Sequence, residues 1–236
     1  MQGSTKIFKT RSGQRLASFS PPSIPLNADN LESRASTHTL VTTQNMTFCV
    51  EPTGALFLLP DPVTCFQSAS YKQKQTFYLS RDASLVVLDW LTSGRRTMGE
   101  EWAFSRYYSA NEVWVDGKRI ANDVMLLEDR EDYSRALRDR LAPYSCYAMV
   151  ILCGPLVQAV IDGMIAQHSR ISVLRAKIPP DMLWSLSPSV SEGMRWAVVR
   201  VAAKETEVVK RWLGQALQEL QYIVGIDVYR KAFSTL

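Results

Sequence analysis

Apolar and polar positions alternate with a period of two along much of the first half of the chain. Tyr71, Gln73, Gln75, Phe77 and Leu79 interleave with Lys72, Lys74, Thr76 and Tyr78, the pattern of a strand with one wet face. Residues 47–50 lead through Glu51-Pro52-Thr53-Gly54 into the apolar run 55–59. Pro60-Asp61-Pro62 ends that run, because proline cannot donate to a sheet ladder. Residues 84–90 are almost wholly apolar, as in a strand covered on both faces. Residues 102–115 form a long aromatic stretch, and Asp116-Gly117 turns it back into 118–127, a strong hairpin signal. Residues 146–153 and 194–201 read as further strands, and residues 5–10 as a short one.

A 3.6-residue period surfaces in two places only. Pro155 opens a helix near 156–167, with Leu156, Val157, Val160, Ile161, Met164 and Ile165 on one face. A second helix is expected over 205–223, with Val208, Val209, Trp212, Leu213, Ala216, Leu217 and Leu220 on its stripe and Gly225 as its cap. The pattern predicts a mainly β, mainly antiparallel single domain with two helices in its C-terminal half. Residues 128–140 are highly charged and read as an exposed loop or short helix, and a loop with Pro179 and Pro180 follows Leu174. Residues 11–39, rich in serine and proline and poor in apolar side chains, read as a flexible insertion.

Composition narrows the classes. Of 236 residues, 46% are hydrophobic and 21% charged, which fits a globular chain and excludes global disorder. The net charge of +4 is too mild to argue for nucleic acid. Basic and aromatic residues interleave over 95–108, but Glu100 and Glu101 in their midst argue against a stacking platform. Residues 1–10 hold no apolar run of the signal-peptide kind. The longest apolar stretch, near 147–161, is broken by Gly154, Pro155 and Gln158 and is too short to span a bilayer. A cytoplasmic chain with reduced thiols is expected: Cys49, Cys65, Cys146 and Cys153 form no CxxC. The sequon Asn45-Met46-Thr47 is then expected to go unused.

Candidate chemistry is sparse. A histidine-based nucleophilic site would have to use His38, in the serine- and proline-rich stretch, or His168, at the end of the first helical stripe. Neither GxSxG nor GxGxxG occurs, and Gly3-Ser4-Thr5-Lys6 has the wrong order for a phosphate loop. Carboxylates are the remaining prospect: Asp61, Asp82, Asp89, Glu100, Glu112 and Asp123 all lie in the β-rich region. Asp89 is the least comfortable, set between Leu88 and Trp90 at the end of an apolar run. A buried carboxylate must be paired, hydrogen-bonded or bound to a cation. Two readings stand for Asp89: a structural salt bridge to Arg95 or Arg96, or the polar lining of a cavity or channel.

The motifs go further than the pattern. Leu59-Pro60-Asp61-Pro62 is followed by Leu88-Asp89-Trp90-Leu91-Thr92-Ser93-Gly94-Arg95, then by Gly99-Glu100-Glu101-Trp102-Ala103-Phe104 and a strand closing on Asp116-Gly117. Gln2-Gly3-Ser4-Thr5-Lys6-Ile7-Phe8-Lys9 near the start and Tyr229-Arg230-Lys231-Ala232-Phe233 near the end fit the same scheme. This order resembles the urease accessory protein UreD family, with Pro60, Asp61, Pro62, Asp89, Trp90, Gly94, Arg95, Gly99, Glu100 and Trp102 carrying the likeness. One departure stands out. In the family, the QGSTK-like segment follows an N-terminal β region with a glycine-rich motif; here it follows Met1. Residues 1–236 are therefore read as one UreD-like domain, N-terminally incomplete, in which Ile7 or Phe8 should lack part of its cover.

The resemblance implies an elongated, solenoid-like stack of strands and a chaperone rather than an enzyme. It implies apo-urease, UreF and, through UreF, the GTPase UreG as partners, with neither nucleic acid nor membrane among them. No cofactor is expected to be tightly bound; nickel passes through in transit along an internal channel. Asp61, Asp89, Glu100 and Asp123 are the candidate path carboxylates. Oxygen donors suit this task, since they bind a borderline cation weakly enough to release it. Two other readings remain: a β-rich interaction protein without nickel-delivery activity, and a hydrolase using paired carboxylates. The motif block further predicts that Trp90, Trp102 and Trp114 bury most of their area and that Gly94 and Gly99 flank a tight turn.

Overall fold

The computed structural model describes residues 6–7, 41–130, 133–171, 179–191 and 193–233. The expected insertion at 11–39, with His38, and Phe8 lie outside them. Among the described residues the strands are β1 (Lys6–Ile7), β2 (Thr42–Val50), β3 (Ala55–Leu58), β4 (Val63–Cys65), β5 (Ser70–Leu79), β6 (Ser84–Thr92), β7 (Arg106–Val115), β8 (Lys118–Glu128), β9 (Cys146–Cys153), β10 (Met182–Ser191) and β11 (Met194–Ala203). The helices are α1 (Leu137–Leu141), α2 (Gln158–His168), α3 (Thr206–Ala216), α4 (Gln221–Val224) and α5 (Ile226–Phe233).

Two open sheets face each other. The larger runs β1-β4-β6-β9-β11-β10, with β3 also paired to β6; the smaller runs β2-β5-β7-β8. The mainly antiparallel expectation is corrected: both sheets are mixed. β1/β4, β4/β6, β3/β6, β2/β5 and β5/β7 pair in parallel. The cause lies in the route of the chain. It visits the smaller sheet with β2, the larger with β3 and β4, the smaller with β5, the larger with β6, and the smaller again with β7. A strand that returns after each crossing runs in its predecessor's direction. A period of two records which face is buried and is blind to this choice. Neither sheet closes on itself, and the expected solenoid is not built among the described residues.

Local signals fared better. Asp116 and Gly117 both have positive φ, 46° and 79°, as the two-residue turn between β7 and β8 requires. Gly94 (φ 115°) and Gly99 (φ 74°) bracket a single 3-10 turn at Arg96–Met98. A Cβ on Gly94 would lie 2.5 Å from the Glu100 carbonyl oxygen, so this loop closes only around glycine. The first expected helix is α2, preceded by a 3-10 turn at Pro155–Val157. The second is broken: α3 ends at Ala216, a 3-10 turn spans Gln218–Leu220, and α4 stops at Gly225. Helices α1 and α5 and strand β10 complete the set. Strand β10 escaped the pattern because Pro188 and four serines interrupt it, and it lies at a sheet edge, where proline is tolerated.

Apolar side chains fill both sides of the larger sheet. Val86, Leu88 and Trp90 of β6, with Val150 and Leu152 of β9 and Val199 and Val201 of β11, pack beneath Val160, Ile161 and Met164 of α2 and Val209 and Leu213 of α3. On the other side two clusters lie between the sheets. One centres on Phe77, Leu85, Val87, Val113 and Ile151; the other on Tyr71, Leu91, Trp102, Phe104 and Tyr107. Trp90 and Trp102 are buried, and Trp114 on the outer face of β7 also has most of its area covered, as expected. Of the pair Ile7 and Phe8, Ile7 is buried, because β1 docks on β4 in the second cluster, and Phe8 lies outside the described residues.

Candidate functional site

Between the two inter-sheet clusters lies a layer of polar side chains. Register places it. Asp89 of β6 stands opposite Met149 of β9, and Met149 opposite Arg200 of β11. On the facing sheet, Gln44, Gln73, Ser109 and Met125 form one row, and Met46, Gln75, Asn111 and Asp123 the next. Alternation turns these residues inward together with their apolar neighbours two positions away, such as Tyr71 and Phe77 on β5. The layer therefore crosses the strands, from β2 toward β8.

Asp89 is its centre. Its Oδ2 accepts hydrogen bonds from Ser109 Oγ at 2.5 Å and Asn111 Nδ2 at 2.7 Å. Gln73 Nε2 and the Tyr107 hydroxyl reach Oδ1 at 3.4 Å each. Beyond it, Gln73 Nε2 lies 3.2 Å from Ser109 Oγ, and the Tyr71 hydroxyl donates to Gln44 Oε1 at 2.6 Å with Gln73 Oε1 3.0 Å away. Leu88 and Trp90 are fully covered, but Asp89 between them keeps some accessible surface, so space for a water-sized group adjoins it. Burial pushes its carboxyl above the ordinary carboxylate range. Bonds from Ser109, Asn111 and Tyr107 pull it back, and the charge of Asp123 adds to the push. Burial, and then the neighbouring Asp89, hold the Tyr107 phenol well above its usual value.

Two further oxygens complete the donor set. The amide oxygens Gln75 Oε1 and Asn111 Oδ1 are buried and accept from no donor among the described residues. Buried acceptors without partners are rare, and each carries a desolvation cost. Carboxylate, amide and hydroxyl oxygens thus share neighbouring register rows where a sandwich of this kind would ordinarily be apolar. Such a set can hold a cation transiently. Among the described residues no three His, Cys, Asp or Glu side chains gather as a metal cluster. Burial raises the Cys65, Cys146 and Cys153 thiols to about 12, so they stay protonated.

Of the four candidate carboxylates, the structure brings Asp89 and Asp123 into this layer and sets the other two elsewhere. Asp61 is exposed in the turn between β3 and β4. Pro60, beside it, accepts a 2.8 Å bond from Trp90 Nε1, so the Pro60-Asp61-Pro62 turn anchors that indole. Glu100 pairs with Arg95 and takes a 3.3 Å bond from the Gln67 amide; the arginine holds its carboxyl below the ordinary value. The expected alternative for Asp89, a bridge to Arg95 or Arg96, is not formed. Arg95 is committed to Glu100 and stacks on Phe66, while Arg96 binds Glu205 2.7 Å away. Trp102 closes the motif block: its indole donates to the Tyr144 carbonyl at 3.1 Å and its amide to the Ser93 carbonyl at 2.7 Å. His168 packs edge-on against Trp184.

Sequence reasoning missed Gln73, Gln75, Ser109, Asn111 and Arg200. A signal existed for the first pair. Gln73 and Gln75 share parity with Tyr71, Phe77 and Leu79, so a dry interior would place apolar residues there. Ser109 and Asn111 repeat the same break on β7, between Tyr107 and Val113.

Comparison with known proteins gives this geometry its context. The family model described as UreD urease accessory protein matches residues 1–230. Urease accessory protein 4 of Cryptococcus neoformans is 33% identical over 231 residues, covering 92% of this chain and 67% of that protein. Urease accessory protein D of Arabidopsis thaliana is 37% identical over 193 residues, covering 74% of this chain and 65% of the relative. Urease accessory protein UreD of an Anaeromyxobacter strain is 31% identical over 191 residues, 81% of this chain and 61% of its own length. The chain thus spans about two thirds of the length of these relatives. Matched along nearly its whole length, it belongs to the UreD family of urease accessory proteins.

Proposed function

We propose that this chain serves urease maturation as a non-catalytic scaffold, and that nickel crosses it through the polar layer between its sheets. The observation that carries this reading is the oxygen set around Asp89: a largely enclosed carboxylate that pairs with no cationic side chain among the described residues, in neighbouring rows with the amide oxygens of Gln75 and Asn111, which find no donor among them. A fold has no need of such a layer, and an apolar one would be more stable. Oxygen donors select no cation tightly, which suits cargo that must leave again. Apo-urease is the recipient, and UreF, with UreG bound through it, is the source. Asp123 shares the layer with Asp89 and is the second path carboxylate; Asp61 and Glu100 lie away from it. The setting is the cytoplasm, where these partners meet.

The test is co-expression with apo-urease, UreF and UreG in nickel-supplemented cells. Wild-type chain should raise the nickel content of purified urease. Asp89→Asn should abolish most of that gain while still co-purifying with the same partners. Nickel content unchanged by Asp89→Asn would overturn the path and leave a binding scaffold alone.

A further inference from the structure

Arg200 sits at the end of the polar layer and is ion-paired with Asp123. The two partners differ sharply in setting: the Asp123 side chain is 11% exposed and that of Arg200 53%. Beside them opens a groove of about 450 Å³, lined by Met125, Tyr147, Met149, Leu183, Ser185 and Arg200 among others. It exists because the smaller sheet stops at β8, while the larger continues through β11 and β10. The guanidinium therefore reaches from an open groove into the polar layer, and it can swing outward without opening the core.

We infer that Arg200 is a built-in competitor for the cargo cation: its guanidinium holds the Asp123 carboxylate between passages, yields it to an arriving divalent ion, and on returning drives that ion off. This rests on the nickel-path reading above and assigns the step by which the path lets go. Three observations support it. Asp123 lies close enough for its charge to act on Asp89, so the two carboxylates belong to one field. Arg200 is the partner that offsets the charge of Asp123, and Asp89 pairs with no cationic side chain among the described residues. Asn111, the register partner of Asp123, and Gln75, the register partner of Asn111, supply the buried unpartnered oxygens next to it. A divalent ion entering there gains two carboxylates and two amide oxygens; the displaced guanidinium gains water in the groove. No bond is made or broken in the exchange, and charge is conserved because the arginine stays protonated throughout.

The experiment is calorimetric titration of Ni²⁺ alone into the full chain and its variants, each checked for unchanged far-ultraviolet circular dichroism. Removing the competitor in Arg200→Gln should tighten Ni²⁺ binding roughly tenfold, the order expected for one partly exposed charge-assisted pair. Arg200→Lys, a point charge without the planar fork, should tighten it roughly threefold. Asp123→Asn should weaken it. Equal or weaker binding in Arg200→Gln overturns the inference; should that variant not fold, equal binding in Arg200→Lys does the same. Failure of the path reading looks different: Asp89→Asn and Asp123→Asn would both bind Ni²⁺ as wild type does.

Discussion

The two sides of strand β6 are a matched pair of environments. Toward the helices it presents Val86, Leu88 and Trp90, which pack with Val160, Ile161 and Met164 of α2 and Val209 and Leu213 of α3. Toward the smaller sheet it presents Leu85, Val87, Asp89 and Leu91, and the cover at Asp89 is Gln73, Tyr107, Ser109 and Asn111. The strand, its neighbours and its twist are common to both sides, so architecture does not account for the difference. What it teaches is where the molecule keeps polarity at a cost. An apolar layer at Asp89 would satisfy the fold; a polar one satisfies it less well and gathers oxygen acceptors between the sheets.

The comparison can be broken by substitution. The largest effect belongs to the helix-covered side. Leu213→Ala removes a fully buried side chain from packed surroundings and should cost about 2–5 kcal/mol, read from the shift in a urea unfolding midpoint. A loss near zero would mean that this side is loosely packed and the contrast is false. Asp89→Asn should do less and with the opposite sign: at pH 7 the variant should be as stable as wild type or more so, by up to about 1–2 kcal/mol. Its pH dependence sharpens the point. The folded carboxyl titrates above its unfolded value of about 3.9, so wild type holds that contribution fully below pH ~3.9 and loses it as pH rises toward the raised folded value. The stability gap in favour of Asp89→Asn should therefore open from pH ~4 upward and then level off. A gap that shrinks with rising pH would mean that the charge is stabilised where it stands. The smallest effect should come from the outer face of the same smaller sheet. Lys74 and Glu112 pair at 3.3 Å there with Lys74 half exposed, and Lys74→Ala should change stability by about 0.5 kcal/mol or less, vanishing in high salt.

Legibility in the sequence followed the range of the forces involved. Turns and motif loops were readable because they depend on a few adjacent residues: Asp116-Gly117 for the hairpin, Gly94 and Gly99 for the closed loop. Strands β5, β6, β8 and β9 were readable from alternation or apolar runs. Strand direction was not, since Phe48 packs beside Phe77 with the same parity whether β2 and β5 run together or oppose each other. The polar layer was half legible. Asp89 announced itself by interrupting an apolar run, but its partners lie on other strands, and only register brings Gln75, Asn111 and Asp123 into one row. Arg200 gave no signal, because an arginine on a strand near a sheet edge is an ordinary exposed residue until the strand facing it is known.

The alternating route of the chain has a kinetic side. The hairpins β7/β8 and β10/β11 aside, neighbours such as β5 and β7 or β6 and β9 are separated in the chain by an excursion through the other sheet, so Gln75 must find Asn111, and Asp89 must find Met149, across long loops. The entropy of closing those loops is spent before any ladder forms, and domains dominated by such non-local pairing fold on the millisecond-to-second scale. During that interval β5 and β7 present unpaired parallel edges carrying Tyr71, Phe77, Tyr107 and Val113. A helper protein of this topology is thus itself a demanding client: its yield in cells should rise on slowing its synthesis or lowering the growth temperature, well before any change in the stability of the finished fold is felt.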